Sequence, residues 1–196
     1  MHGLIFTELR KYVESKFDHA TWEKLLDKAG QRHQLYLASG VYPDSDILAL
    51  VTAACEMTGL RANTVLEDFG HFVAADLIEQ YKFLVSPSWR LLDFLANTED
   101  TIHKVVRFHK GVSPPRLVTT RIADDRLTIQ YNSSRKMCPL LKGIVKGAAD
   151  YYKEKVTLLE SRCMLQGDSE CVVMVQTESA KASPDEPLRK AMASPR

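Results

Sequence analysis

The sequence contains no apolar run approaching the roughly 18 residues that a membrane span requires, and membrane insertion is not expected. It has no glycine-rich phosphate loop, and no Ser/His/Asp or Cys/His arrangement whose local sequence argues for a nucleophilic enzyme. Net charge is lacking too: 26 Lys+Arg stand against 25 Asp+Glu, for a formal +1. The whole-chain balance therefore gives no case for bulk nucleic-acid or membrane binding. Cysteines number only four, at 55, 138, 163 and 171, without regular spacing. The opening Met-His-Gly-Leu-Ile-Phe-Thr-Glu-Leu-Arg meets acid and base too early for a secretion signal, so a reducing cytoplasm is expected. What remains is a 196-residue chain, 45% hydrophobic and 8% aromatic, long enough to enclose a core and a buried ligand.

The neutral total hides a partition. Residues 1–100 carry net −6, whereas residues 101–149 carry net +8. The first 110 residues or so read as helices. Phe6, Leu9, Val13 and Phe17 keep helical spacing, and Asp18 or Thr21 suits the cap of a second helix through Trp22 and Leu25. Ser45 or Asp46 opens a third, which Gly59 ends. Helices near 62–84 and 89–109 follow. After Pro114-Pro115 the pattern becomes strand-like over 117–122 and 127–131. A helix over 139–153 interrupts it, and two further strands lie at 156–159 and 171–175. The expectation is an α+β domain over 1–176, helical to about 110 and with a four-stranded antiparallel sheet over about 111–176. Residues 177–196, rich in Ser, Ala, Pro and charge, read as a disordered tail.

Tyr131-Asn132-Ser133-Ser134-Arg135 is the most informative peptide. If the strand continues through it, Tyr131, Ser133 and Arg135 share the apolar face of Leu127 and Ile129, where a buried anion must receive them. If the strand has ended, they form an exposed turn. His103 lies at the edge of a helical apolar stripe, where a histidine is either a metal ligand or an ordinary boundary residue. Spacing does not choose among the six histidines.

The opening Met-His-Gly-Leu-Ile-Phe, Thr21-Trp22-Glu23, Ile102-His103, Pro114-Pro115-Arg116-Leu117 and the ordered Tyr-x-Ser-x-Arg of 131–135 together resemble the H-NOX family. These are haem nitric-oxide/oxygen-binding domains of bacteria and of the soluble guanylate cyclase β subunit. The resemblance implies haem b between the two halves, with His103 as axial iron ligand and Tyr131, Ser133 and Arg135 on the propionates. Ile5 and Pro115 match positions that distort the macrocycle. Leu140 and Leu9 stand where oxygen-binding members have polar or aromatic residues, and Phe72-Val73-Ala74 supplies no donor either. An NO and CO sensor that excludes oxygen is therefore expected, signalling through rupture of the His103–iron bond. Its partner would be a histidine kinase or a cyclic-di-GMP enzyme, with no catalytic residues and no nucleic acid involved. Some bacterial relatives also hold zinc through three cysteines and a histidine. Cys138, Cys163 and Cys171 match, and Glu160 stands in place of the histidine, so a zinc site is one reading. A redox-switched thiol set and plain buried cysteines are the others. A zinc/thiol redox module, or a haem-free anion-binding adaptor on the same fold, is the alternative function.

Overall fold

A computed structural model describes residues 1–178. Four helices form the N-terminal half: α1 (Gly3–Lys16), α2 (His19–Lys28), α3 (Asp44–Thr58) and α4 (Ala62–Gln80). Their ends follow local chemistry. His2 caps α1 by accepting from the Leu4 amide, and Asp18 caps α2 by accepting from the Thr21 amide at 2.7 Å. Gly59 ends α3 at φ 73°, the left-handed conformation that costs glycine little. Helix α3 starts at Asp44 after Pro43, a residue or two before the expected Ser45 or Asp46. Phe17 falls just past α1 and is exposed, not part of the buried stripe. Phe6, Trp22, Leu25, Leu50 and Phe69 bury together as one core.

The expected long helix over 89–109 is broken. Helix α5 (Leu91–Asn97) gives way to a π turn (Glu99–His103), then to a last α-helical turn, α6 (Lys104–Val106). The His103 amide donates to Thr98 O, five residues back, at 3.0 Å. The stretch expected as one helix over 62–84 likewise ends at Gln80, with a short 3₁₀ turn over Lys82–Leu84.

Strands β1 (Arg116–Ala123), β2 (Arg126–Asn132), β3 (Val156–Arg162) and β4 (Cys171–Thr177) make one antiparallel sheet in the order β1-β2-β4-β3. Asp124-Asp125 turns β1 into β2. Pairing Leu127 with Val175, Ile129 with Val173 and Tyr131 with Cys171 puts one apolar face of the sheet inward. Strand β4 runs to Thr177, one residue beyond the expected boundary, and the rest of the expected tail, 179–196, lies outside the described residues. Helix α7 (Cys138–Tyr151) connects β2 to β3 and packs on α4 through glycines. A Cβ at Gly70 would lie 2.4 Å from Leu140 O, and one at Gly147 2.2 Å from His71 O. Among the described residues no helix is long and apolar enough to cross a membrane.

Candidate functional site

A cavity of about 200 Å³ lies between the helical half and the sheet half. Its walls come from Leu4 and Ile5 on α1, Ala74, Leu77 and Ile78 on α4, and Leu140 and Ile144 on α7. Val112, Pro114, Pro115 and Leu117 close another side. These side chains exclude water and offer no hydrogen bond, so whatever polar chemistry the cavity performs must come from few groups.

His103 is one of them. The π turn presents it on the cavity wall with its side chain 16% exposed. Its Nδ1 lies 2.9 Å from Glu99 Oε2, and Nε2 has no hydrogen-bond partner among the described residues. Burial pushes the imidazole pKa down, and the Glu99 carboxylate only partly opposes it. A neutral ring that gives its Nδ1 proton to a carboxylate keeps the Nε2 lone pair for a metal, the usual arrangement behind a ligating histidine. Glu99 is itself pinned: Oε1 accepts from Arg107 Nη2 at 2.6 Å, and Oε2 accepts also from the Leu117 amide at 3.2 Å. Burial raises the Glu99 carboxyl, but these donors outweigh it and hold the group below the usual carboxylate range.

Tyr131 and Arg135 line another part of the wall. The strand ends at Asn132, as the turn alternative required, yet the side chains are not exposed. Tyr131 is 3% and Ser133 6% exposed, and the Arg135 side chain is 8% exposed. The anion that receives Arg135 in this structure is the partly exposed Asp44 of the chain itself: Asp44 Oδ2 accepts from Nη1 at 3.1 Å, and Ser113 O accepts from Nη2 at 2.6 Å. Ser133 does not line the cavity. Its Oγ accepts from the Arg135 amide at 3.3 Å, which ties down the turn that carries the guanidinium.

Of the residues expected on the gas-binding side, Ile5, Ala74 and Leu140 line the cavity, as does Pro115. Leu9, Phe72 and Val73 do not, and those three expectations are corrected. Leu9 and Val73 point into the core of the N-terminal half, and Phe72 packs edge-on against Tyr12. Helices α1 and α4 are buried on two sides, so an apolar residue on either helix belongs to the cavity or to the other core, depending on one step of rotation. Tyr81, at the end of α4, was not anticipated and does line the cavity. Burial raises its phenol pKa, and its hydroxyl has no hydrogen-bond partner among the described residues. Thr98 also lines the wall but spends its hydroxyl on Phe94 O.

A second cluster lies where α7 begins. The ligand atoms of Cys138, Glu160, Cys163 and Cys171 all fall within 4.8 Å of one another, with the three cysteines buried. Cys138 Sγ and Cys163 Sγ are 3.7 Å apart, and no disulfide joins them. A tetrahedral zinc with Zn–S of about 2.3 Å separates its sulfurs by about 3.8 Å. Without a metal, burial and the neighbouring thiols push the Cys138 thiol well up. Lys142 Nζ lies 3.2 Å from Glu160 Oε2 and competes for that carboxylate. Cys55 stands apart from this cluster, half-buried on α3.

The sequence profile of the haem-NO-binding family matches residues 2–160. No curated protein matches the chain in sequence. Among solved structures, an H-NOX protein from S. oneidensis in the Fe(II)NO ligation state is 22% identical. The match covers 91% of this chain and all of that one, with a TM-score of 0.85. A mutant of the T. tengcongensis H-NOX is 21% identical over 93% of this chain and 100% of that chain, TM-score 0.80. An Fe(II) unliganded mutant H-NOX protein from K. algicida is 22% identical over 92% and 98%, TM-score 0.79. At these identities the likeness is one of fold.

Proposed function

The chain belongs to the haem-NO-binding (H-NOX) family, and from that premise we propose that residues 1–178 form a haem-based sensor of nitric oxide and carbon monoxide. The observation that carries this reading is the pairing, in one apolar cavity, of a carboxylate-held histidine with a buried Tyr131 and Arg135. Haem supplies a ferrous iron with an open position for a diatomic gas. His103 would hold that iron through Nε2, and Glu99 fixes its ring and tautomer. Tyr131 and Arg135 would take the propionates. Arg135 then exchanges part of its contact with Asp44 for a cofactor carboxylate, and Ser133 steadies the turn beneath it. Ile5 and Pro115, which line the walls, would press on the cofactor.

Oxygen exclusion rests on Leu140, Ala74 and Ile5, which give a bound oxygen no hydrogen bond. Tyr81 is the phenol that would supply one if its hydroxyl reached the gas. Ultraviolet–visible spectra of the reduced protein under argon, CO, NO and air test the reading. The Soret band is expected to shift with CO and NO and to ignore air. An oxygenated spectrum overturns the selectivity, and its loss in Tyr81→Phe would identify the donor.

Signalling rests on His103. Were nitric oxide to release it from the iron, the imidazole would stay tied to Glu99, whose other contacts run to Arg107 and to the Leu117 amide at the start of β1. The π turn and the sheet edge thus share one carboxylate with the axial ligand. The output passes to a separate protein, a histidine kinase or a cyclic-di-GMP enzyme, and this chain itself carries no catalysis.

The thiol cluster supports a second, independent role as a structural zinc site that pins the start of α7 to β3 and β4. About one zinc per chain is expected in protein purified without chelator. Cys138, Cys163 and Cys171 should react with a thiol reagent only after chelation. No zinc at the outset, with the three thiols no more reactive after chelation than before, would leave the cluster as plain buried cysteines.

A further inference from the structure

The positive segment of the sequence does not stay evenly positive once its ion pairs are counted. Of its ten cations, six have carboxylate partners: Arg107 with Glu99, Arg121 with Asp93, Arg126 with Asp125, Arg135 with Asp44, Lys142 with Glu160 and Lys146 with Glu67. Lys104, Lys110, Arg116 and Lys136 are exposed and have no carboxylate within 4.0 Å among the described residues.

Those four fall on neighbouring segments. Arg107 Nη2 donates to Pro115 O, Arg135 Nη2 donates to Ser113 O, and Arg116 pairs with Asn132 across β1 and β2. The segments 104–116 and 132–136 therefore form one face. Asp100, a turn before Lys104, is a nearby acid with no salt bridge among the described residues. Phe108 lies in the middle of the longer segment at 81% exposure, the most exposed large apolar side chain among the described residues. A ring held in water beside a cluster of unpaired cations is the composition of an interface anchor with a charged rim.

We propose that this face docks an acidic protein surface. Phe108 would seat in an apolar pocket of the partner, and Lys104, Lys110, Arg116 and Lys136 would meet its carboxylates. A protein fits better than a membrane, because a lipid surface needs a broad apolar face to insert and this one has a single ring. The face also begins one residue after His103, and Glu99 bonds both that imidazole and Arg107, the neighbour of Phe108. Its service as the sensor's output rests on the reading above; its binding chemistry does not.

The full-length haem-loaded protein is titrated against a fluorescein-labelled peptide of Glu-Glu-Leu repeats, read by anisotropy at low and near-physiological salt, and against phosphatidylserine vesicles. Three variants accompany it: K104E/K110E/K136E, F108A, and the control K24E/R61E/K153E, which alters net charge equally from elsewhere on the surface. The first is expected to weaken peptide binding about tenfold or more and to flatten its salt dependence. F108A should weaken it about fivefold, the control less than about twofold, and all three should keep the wild-type Soret band. An equal loss in the control, no loss in the first variant, or binding to vesicles without binding to peptide overturns the proposal. Equal peptide affinity with and without bound NO overturns its role as output. A wild-type protein lacking a Soret band would remove the haem reading while leaving the peptide titration to decide this one.

Discussion

Replacing His103 by Ala is expected to leave the purified protein without a stable Soret band, and added imidazole is expected to restore one. The size of the effect follows from the cavity. Its walls are apolar, and Arg135 already has Asp44 and Ser113 O as partners, so the propionate contacts gain only the difference between one carboxylate and another. The bond from Nε2 has no internal competitor. Haem content after gel filtration measures the loss. The milder Glu99→Gln keeps the ligand but weakens the acceptor that orients it, and should reduce retention about 10–100-fold. His103→Ala should exceed that range. A spectrum indifferent to His103→Ala would defeat the assignment of the axial ligand.

Gly143→Ala is expected to destabilise the protein by about 2–3 kcal/mol despite adding a better helix former. The new Cβ would lie 2.1 Å from Glu67 O and 2.9 Å from the His71 amide nitrogen, both main-chain atoms of α4. Neither can swing aside as a side chain would, so the helices must part. Intrinsic helix propensity returns only about 1 kcal/mol. For a chain of this size the melting temperature should fall by roughly 5–10 °C. Gly147→Ala attacks the same interface, so the double variant should cost less than the two single losses combined, because helices already separated no longer clash. An unchanged melting temperature for Gly143→Ala would contradict the close approach. Since α4 and α7 both line the cavity, the same variant should also loosen the cofactor.

Much of this was legible because it was local. Asp18 caps α2, Gly59 ends α3, and alternation places Leu127 and Ile129 inward, each within a few residues of its cause. Tyr131 and Arg135 were legible as a pair that needs burial and an anion. What was not legible was the anion the fold itself provides, since Asp44 is 91 residues from Arg135. Leu9 and Val73 were misplaced because α1 and α4 serve two cores at once, and hydrophobic periodicity does not say which apolar side faces which. Tyr81 escaped notice because the end of a helix carries no stripe to interrupt. Gly143 and Gly147 offer only low helix propensity to a reader of the sequence, whereas in the fold their lack of a side chain is what lets α7 lie against α4. The helix expected over 89–109 differs most plainly, since Leu91 and Leu95 before the wide turn and Val105 and Val106 after it fit one α-helical stripe while the turn itself leaves no mark in the pattern.

That wide turn contains one residue more than an α-helix would need to reach His103. An α-helix advances about 100° per residue, so a regular helix wound through the same residues would have better hydrogen bonds. It would also swing the imidazole about a quarter of a circle off the cavity wall. The surplus residue acts as a phase setting, in which helical regularity is given up so that one ring faces inward while Glu99 remains within its reach. For this length of segment the wide turn is therefore as much a requirement as the identity of the histidine.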